Sequence, residues 1–115
     1  MPYFSIQTNQ TMDASAGEDL TRKASAFAAE LLGKPEAYVM TALQSGTAMT
    51  FAGSDAPAAF IEVRSIGLDE AQCGTFAAKI STFIQAQLGI QPDRVFIAFE
   101  DLPRSRFAWN GKTFA

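Results

Sequence analysis

Two stretches of this chain leave a helix in nearly the same way. Leu32-Gly33-Lys34-Pro35-Glu36-Ala37-Tyr38-Val39 resembles Leu88-Gly89-Ile90-Gln91-Pro92-Asp93-Arg94-Val95, with one extra residue in the second. In each, Gly suits a left-handed C-terminal cap, and the Pro that follows cannot continue the helix. Before the first exit, Leu20, Ala24, Phe27, Ala28 and Leu31 recur at helical spacing behind a capping-box pair, Ser15 and Glu18. Before the second, Phe76, Ile80, Phe83, Ile84 and Leu88 form the matching face behind Asp69 and Gln72. Strand-like runs flank both helices: residues 3–8 and 38–43 around the first, 58–65 and 95–99 around the second, the last expected to be buried.

This duplication, over residues 2–45 and 58–101, constrains the fold more tightly than any compositional value. The expected class is α/β, an α+β sandwich in which duplicated βαβ units form one four-stranded mixed sheet with two helices on one face. Right-handed crossovers make the two strands of each unit parallel. Residues 49–51 and 107–109 read as short extra strands that extend the sheet edge or pair with another subunit. The whole chain, 1–115, is expected to be a single domain.

Composition narrows the chemistry. There is no His, which removes Ser-His-Asp and Cys-His catalysis and most zinc sites. The single cysteine, Cys73, forms no internal disulfide or Cys-x-x-Cys pair and reads as a packing residue at a helix edge. No carboxylate cluster suggests a metal site, and no Gly-rich loop suggests a phosphate site; no cofactor is expected. The net charge is −3 and no basic stripe is present, so neither nucleic acid nor a membrane is an expected partner. An anionic substrate therefore needs a local cation. Ten Phe in 115 residues suggest a subunit contact. With no secretion signal or apolar span of about 20 residues, the expected location is cytoplasmic, with non-classical secretion if the chain signals outside the cell.

The residues that carry chemistry sit at the ends of these elements. Removal of Met1 would leave Pro2 with a secondary amine at the head of a strand, a general base near neutral pH once its pKa is lowered. Lys34 has two readings: a cation favourably placed at a helix C-terminus, or a group that depresses the Pro2 amine and binds a substrate carboxylate. Ser65-Ile66-Gly67 is either a plain connection or a turn whose backbone N–H binds a carboxylate.

Taken together, Met1-Pro2, Gly33-Lys34-Pro35 with Tyr38, Ser65-Ile66-Gly67, Pro92-Asp93-Arg94-Val95 and the closing Trp109-Asn110-Gly111-Lys112-Thr113-Phe114-Ala115 resemble the macrophage migration inhibitory factor family of the tautomerase superfamily, across the whole chain. The resemblance implies a homotrimer with active sites between subunits and keto–enol tautomerisation of an aryl 2-oxo acid such as phenylpyruvate, or of dopachrome. It implies Pro2 as the catalytic base, Lys34 and the Ile66 backbone in the Ser65–Gly67 turn as substrate-holding groups, and Tyr38 and Trp109 as pocket walls. Phe96 and Ala98 would come from a neighbouring subunit. The alternative it implies is a cytokine-like protein that engages a host or neighbouring-cell receptor through the trimer surface. The chain departs from the family pattern where Phe96 replaces a common Tyr, Ala98 a common Asn and Phe107 a common Val, and in lacking the Cys-x-x-Cys pair that many members carry.

Overall fold

The computed structural model describes residues 1–115. The two repeats fold as strand–helix–strand units: β1 (Tyr3–Thr8), α1 (Ala14–Leu32) and β2 (Met40–Gln44), then β3 (Ala59–Ser65), α2 (Cys73–Leu88) and β4 (Val95–Asp101). They join in one sheet ordered β2-β1-β3-β4. Within each unit the strands are parallel, and the central β1–β3 pair is antiparallel, so the sheet is mixed. A separate hairpin follows, β5 (Ala108–Trp109) with β6 (Lys112–Thr113).

Alternation along the central strands decides which side is core. Phe4, Ile6 and Thr8 of β1 are buried, as are Ala59, Ile61, Val63 and Ser65 of β3, while the residues between them point to the other face. The buried set packs against Leu20, Ala24 and Ala28 of α1 and Phe76, Ile80 and Ile84 of α2. Both helices therefore cover one face, and the other is uncovered by this chain. Asn9 ties the halves together: its side chain donates to the Asp55 and Ala56 carbonyls and accepts from the Ala58 N–H at 2.9 Å.

Both helix exits take the expected form, with Gly33 (φ 63°) and Gly89 (φ 69°) in the left-handed region. The entry to α1 differs from the expectation. Its cap is Asp13, whose carboxylate accepts from the Ala16 N–H at 2.8 Å, and Ser15 and Glu18 lie within the helix. Asp is as strong a cap as Ser, and taking the earlier residue adds helical hydrogen bonds. Asp69 caps a short 3-10 turn, Glu70–Gln72, that leads directly into α2.

Three other expectations change. Tyr38 ends a 3-10 turn (Glu36–Tyr38) rather than opening a strand, and β2 starts at Met40. β4 is an edge strand with alternating exposure, not a buried one. Its run Val-Phe-Ile-Ala-Phe is apolar on both faces, and this chain covers only the helix side. Residues 49–51 do not form a strand. Phe51 and Ser54 make a single antiparallel bridge around Ala52 (φ 53°) and Gly53 (φ 74°), a reversal too tight for an extended segment. No helix is long and apolar enough to cross a membrane.

Candidate active site

The strand order places the heads of β1 and β2 beside the tail of β3. Tyr3 lies opposite Met40 on one side and Arg64 on the other. Pro2 is fully buried at this end, and its carbonyl accepts the Met40 N–H at 3.0 Å, so the first residues of the chain belong to the sheet ladder. The 3-10 turn before β2 and the β5–β6 hairpin rise around it. Together they enclose a largely apolar cleft of about 530 Å³, within the usual range of small-ligand sites.

Met1, Pro2, Tyr38 and Trp109 line this cleft. The Tyr38 and Trp109 rings meet edge to face with centroids 5.8 Å apart, forming one aromatic wall. Phe107 and Phe114 continue the lining and contact each other at 5.7 Å. The hairpin is closed by Asn110 (φ 53°) and Gly111 (φ 79°), and the Phe114 N–H donates to the Phe107 carbonyl. Asn-Gly is the strongest short hairpin signal. It is the feature of the sequence from which the return of Phe114 to the cleft could have been read.

The terminal amine sits in an environment that disfavours its charged form. Burial lowers the pKa of the Met1 amine, and the positive charge of Lys34 lowers it further. Lys34 is half-buried just past the α1 cap and does not itself line the cleft, although its field reaches the amine.

The other expected site residues lie elsewhere in this chain. Ser65 is buried, with its hydroxyl donating to the Ile66 carbonyl and its own carbonyl accepting from the Leu102 N–H. After Ile66, the Gly67 and Leu68 N–H groups both donate to Asp101 Oδ1 at 3.1 Å, so those amides are committed within the chain. Phe96 and Ala98 stand on the open face of β4, at the far side of the sheet from β2, and Phe96 packs on Phe51. One chain therefore brings together Pro2, Tyr38 and Trp109, with Lys34 acting by its charge, and leaves Ser65, Ile66, Phe96 and Ala98 outside the cleft lining.

Two charged lining residues had not been anticipated, Arg64 and Arg106. Arg64 is held between Glu62 (2.9 Å) and Glu100 (3.3 Å) on the open sheet face. Arg106 ends the short turn before the hairpin. Isolated basic residues leave no periodic signature, so only the topology brings them here. Burial, then Glu70 and Asp69, push the Cys73 thiol up, which keeps it protonated and poorly nucleophilic at neutral pH.

A duplicated βαβ chain whose mixed sheet carries two helices on one face, with proline at the head of its first strand, has the architecture of the tautomerase superfamily. The pattern of the macrophage migration inhibitory factor (MIF) family matches residues 1–115. The chain is 38% identical to the MIF homolog of Brugia malayi over 99% of both chains, and 33% identical to MIF of Mus musculus over the full length of both. Its fold superposes on the crystal structure of the MIF homologue from Prochlorococcus marinus with a TM-score of 0.90, at 42% identity and covering 98% of this chain and 99% of that one. MIF from Trichinella spiralis gives 0.89 at 32% identity, over 97% and 99%. The chain belongs to the macrophage migration inhibitory factor family.

Proposed function

We propose that this protein is a tautomerase of aryl 2-oxo acids, phenylpyruvate and dopachrome among them, with the Pro2 amine as its general base after Met1 is removed. The observation that carries this reading is the position of the chain's head: Pro2 lines an apolar, aromatic-walled cleft, and the Met1 amine beside it has its pKa lowered by burial and by Lys34, an environment that a Pro2 amine freed at the same strand head would inherit. A neutral secondary amine accepts a proton from the carbon beside the ketone. The C–H electron pair becomes the new C=C bond, the carbonyl π pair moves onto oxygen, and the protonated Pro2 amine returns its proton to that oxygen, which completes the enol and restores the neutral base. Although neither lines the cleft of the single chain, Lys34 and the Ile66 N–H are the groups that the family pattern assigns to the carboxylate, and the Lys34 charge would stabilise negative charge developing on the enolate oxygen. Tyr38 and Trp109 pack the substrate ring and exclude water.

The working unit in this reading is a homotrimer. Phe96 and Ala98, which stand apart from the cleft of their own chain, would close a neighbour's cleft. That wall offers no hydrogen bond to a distal phenol, so hydroxyphenylpyruvate gains nothing over phenylpyruvate.

The test is Pro2→Gly, with intact mass first used to establish that Met1 has been removed from both proteins. Loss of the positioned base lowers kcat/KM for phenylpyruvate by about 10²–10⁴-fold. Activity that persists in the variant, or a wild-type chain that tautomerises while Met1 is retained, rules the mechanism out. A second reading follows from the name that the relatives carry: a cytokine-like signal acting through the outer surface, for which Pro2→Gly would leave receptor binding intact.

A further inference from the structure

The cleft has cations but no carboxylate in its lining. Its charged side chains are Arg64 and Arg106, and the remaining lining residues are apolar or aromatic. The two arginines differ in what they already hold. Arg64 spends Nη2 on Glu62 and Nε on Glu100, so its charge is opposed by two carboxylates. Arg106 has no ion-pair partner and no side-chain hydrogen bond within the chain. Its neighbour Arg104, by contrast, is committed through Nε to the Phe114 carbonyl at 3.0 Å. An exposed, uncommitted arginine that shares the cleft lining with Tyr38 and Trp109, in a chain of net charge −3, supplies a local cation for an anionic ligand in an otherwise repulsive field. Lys34 contributes a separate positive charge, felt at the amine.

We infer that Arg106 is a specificity residue that selects aryl substrates carrying a second anionic group, by binding a distal carboxylate on the ring while the 2-oxo acid end faces the terminal amine. This rests on the cleft being the substrate site proposed above and names the substrate class that fits it. The planar guanidinium matches a carboxylate with two parallel N–H···O bonds. Arg106 adjoins Phe107 in sequence and shares the cleft lining with Trp109.

The chain has one Trp, and it lines the cleft, so intrinsic fluorescence reports occupancy without any turnover. Phenylacetate and 4-carboxyphenylacetate, which differ only in the distal carboxylate, are titrated into the wild type, Arg106→Gln and Arg106→Lys. The wild type should prefer the dianion by about tenfold, the order expected of one charge-assisted pair. Arg106→Gln should lose that preference while binding phenylacetate within about twofold of the wild type, and Arg106→Lys, which keeps the charge without the planar fork, should retain part of it. Equal affinity of the wild type for both ligands overturns the proposal. So does an Arg106→Gln variant that weakens both ligands alike, or one that sediments as a smaller assembly, because Arg106 would then be a general anchor or a subunit contact. Failure of the proline mechanism would show in the Pro2→Gly kinetics and leave these titrations unchanged.

Discussion

Lys34 and Ile90 occupy the same place in the two repeats, one residue past a left-handed glycine, and meet opposite fates. Ile90 is 1% exposed and fills the core, whereas Lys34 stays half-buried and projects its charge toward the terminal amine. The positive charge disfavours protonation of the Met1 amine, and in the proposed mechanism the Pro2 amine freed at the same strand head feels the same field, so removing the charge raises its pKa. In Lys34→Gln the acidic limb of the kcat/KM profile should therefore move to higher pH, with activity lost first on the acid side. Lys34→Arg should leave the limb in place. Since burial is the larger cause of the shift, part of the lowering should survive without Lys34. A limb that stays put in Lys34→Gln, or moves to lower pH, would remove Lys34 from the account. Both functions of this lysine were open in the sequence, because a cation after a helix is also what the helix dipole favours. The pH profile of Lys34→Gln separates them.

Two tight turns of the same shape show how sequence and geometry diverge at the level of elements. Asn110-Gly111 and Ala52-Gly53 both place two successive residues at positive φ, as a primed hairpin turn requires. Asn tolerates that region and Ala does not, the penalty for an L-residue being on the order of 1 kcal/mol. Ala52 persists because Arg94 overrides the local preference. Its guanidinium donates to the Pro57, Phe51, Ser54 and Ala56 carbonyls, two of them at 2.8 Å, and lies 5.2 Å from the Phe51 ring centroid. Ala52→Asn should raise the stability to urea by roughly 0.5–1 kcal/mol, with an unchanged denaturant slope. A destabilised variant would mean that the turn is shaped by something other than its φ angles. The helices, their glycine caps and the parallel pairing within each repeat were legible from period and punctuation. The 49–51 segment was not, since its conformation depends on an arginine more than forty residues away.

Only 17 of 115 residues are buried, a thin core for a chain of this length, and it lies wholly between the helices and one sheet face. The opposite face is uncovered, the outer edges of β2 and β4 are unpaired, and Phe96 on β4 is 58% exposed. Unprotected edges and exposed aromatics call for partners. On the trimer proposed above, sedimentation should give three times the chain mass of 12.4 kDa, and Phe96→Glu should shift the protein toward smaller species. A wild-type chain that sediments at 12.4 kDa would leave Phe96 and Ala98 with no role in a cleft. This is also where legibility of the site ran out. Pro2, Tyr38 and Trp109 meet because one chain's topology makes them meet, whereas contacts between copies leave no periodic trace within a single repeat. The hydrogen bond from Met40 to the Pro2 carbonyl has a bearing on biosynthesis. A trimming peptidase must draw an extended terminus into its own groove, and once β1 has zipped against β2 that terminus is clamped. In the proposed mechanism, excision of Met1 is thus easier before β1 and β2 pair, and a chain that folds with Met1 in place keeps the Pro2 nitrogen as an inert amide.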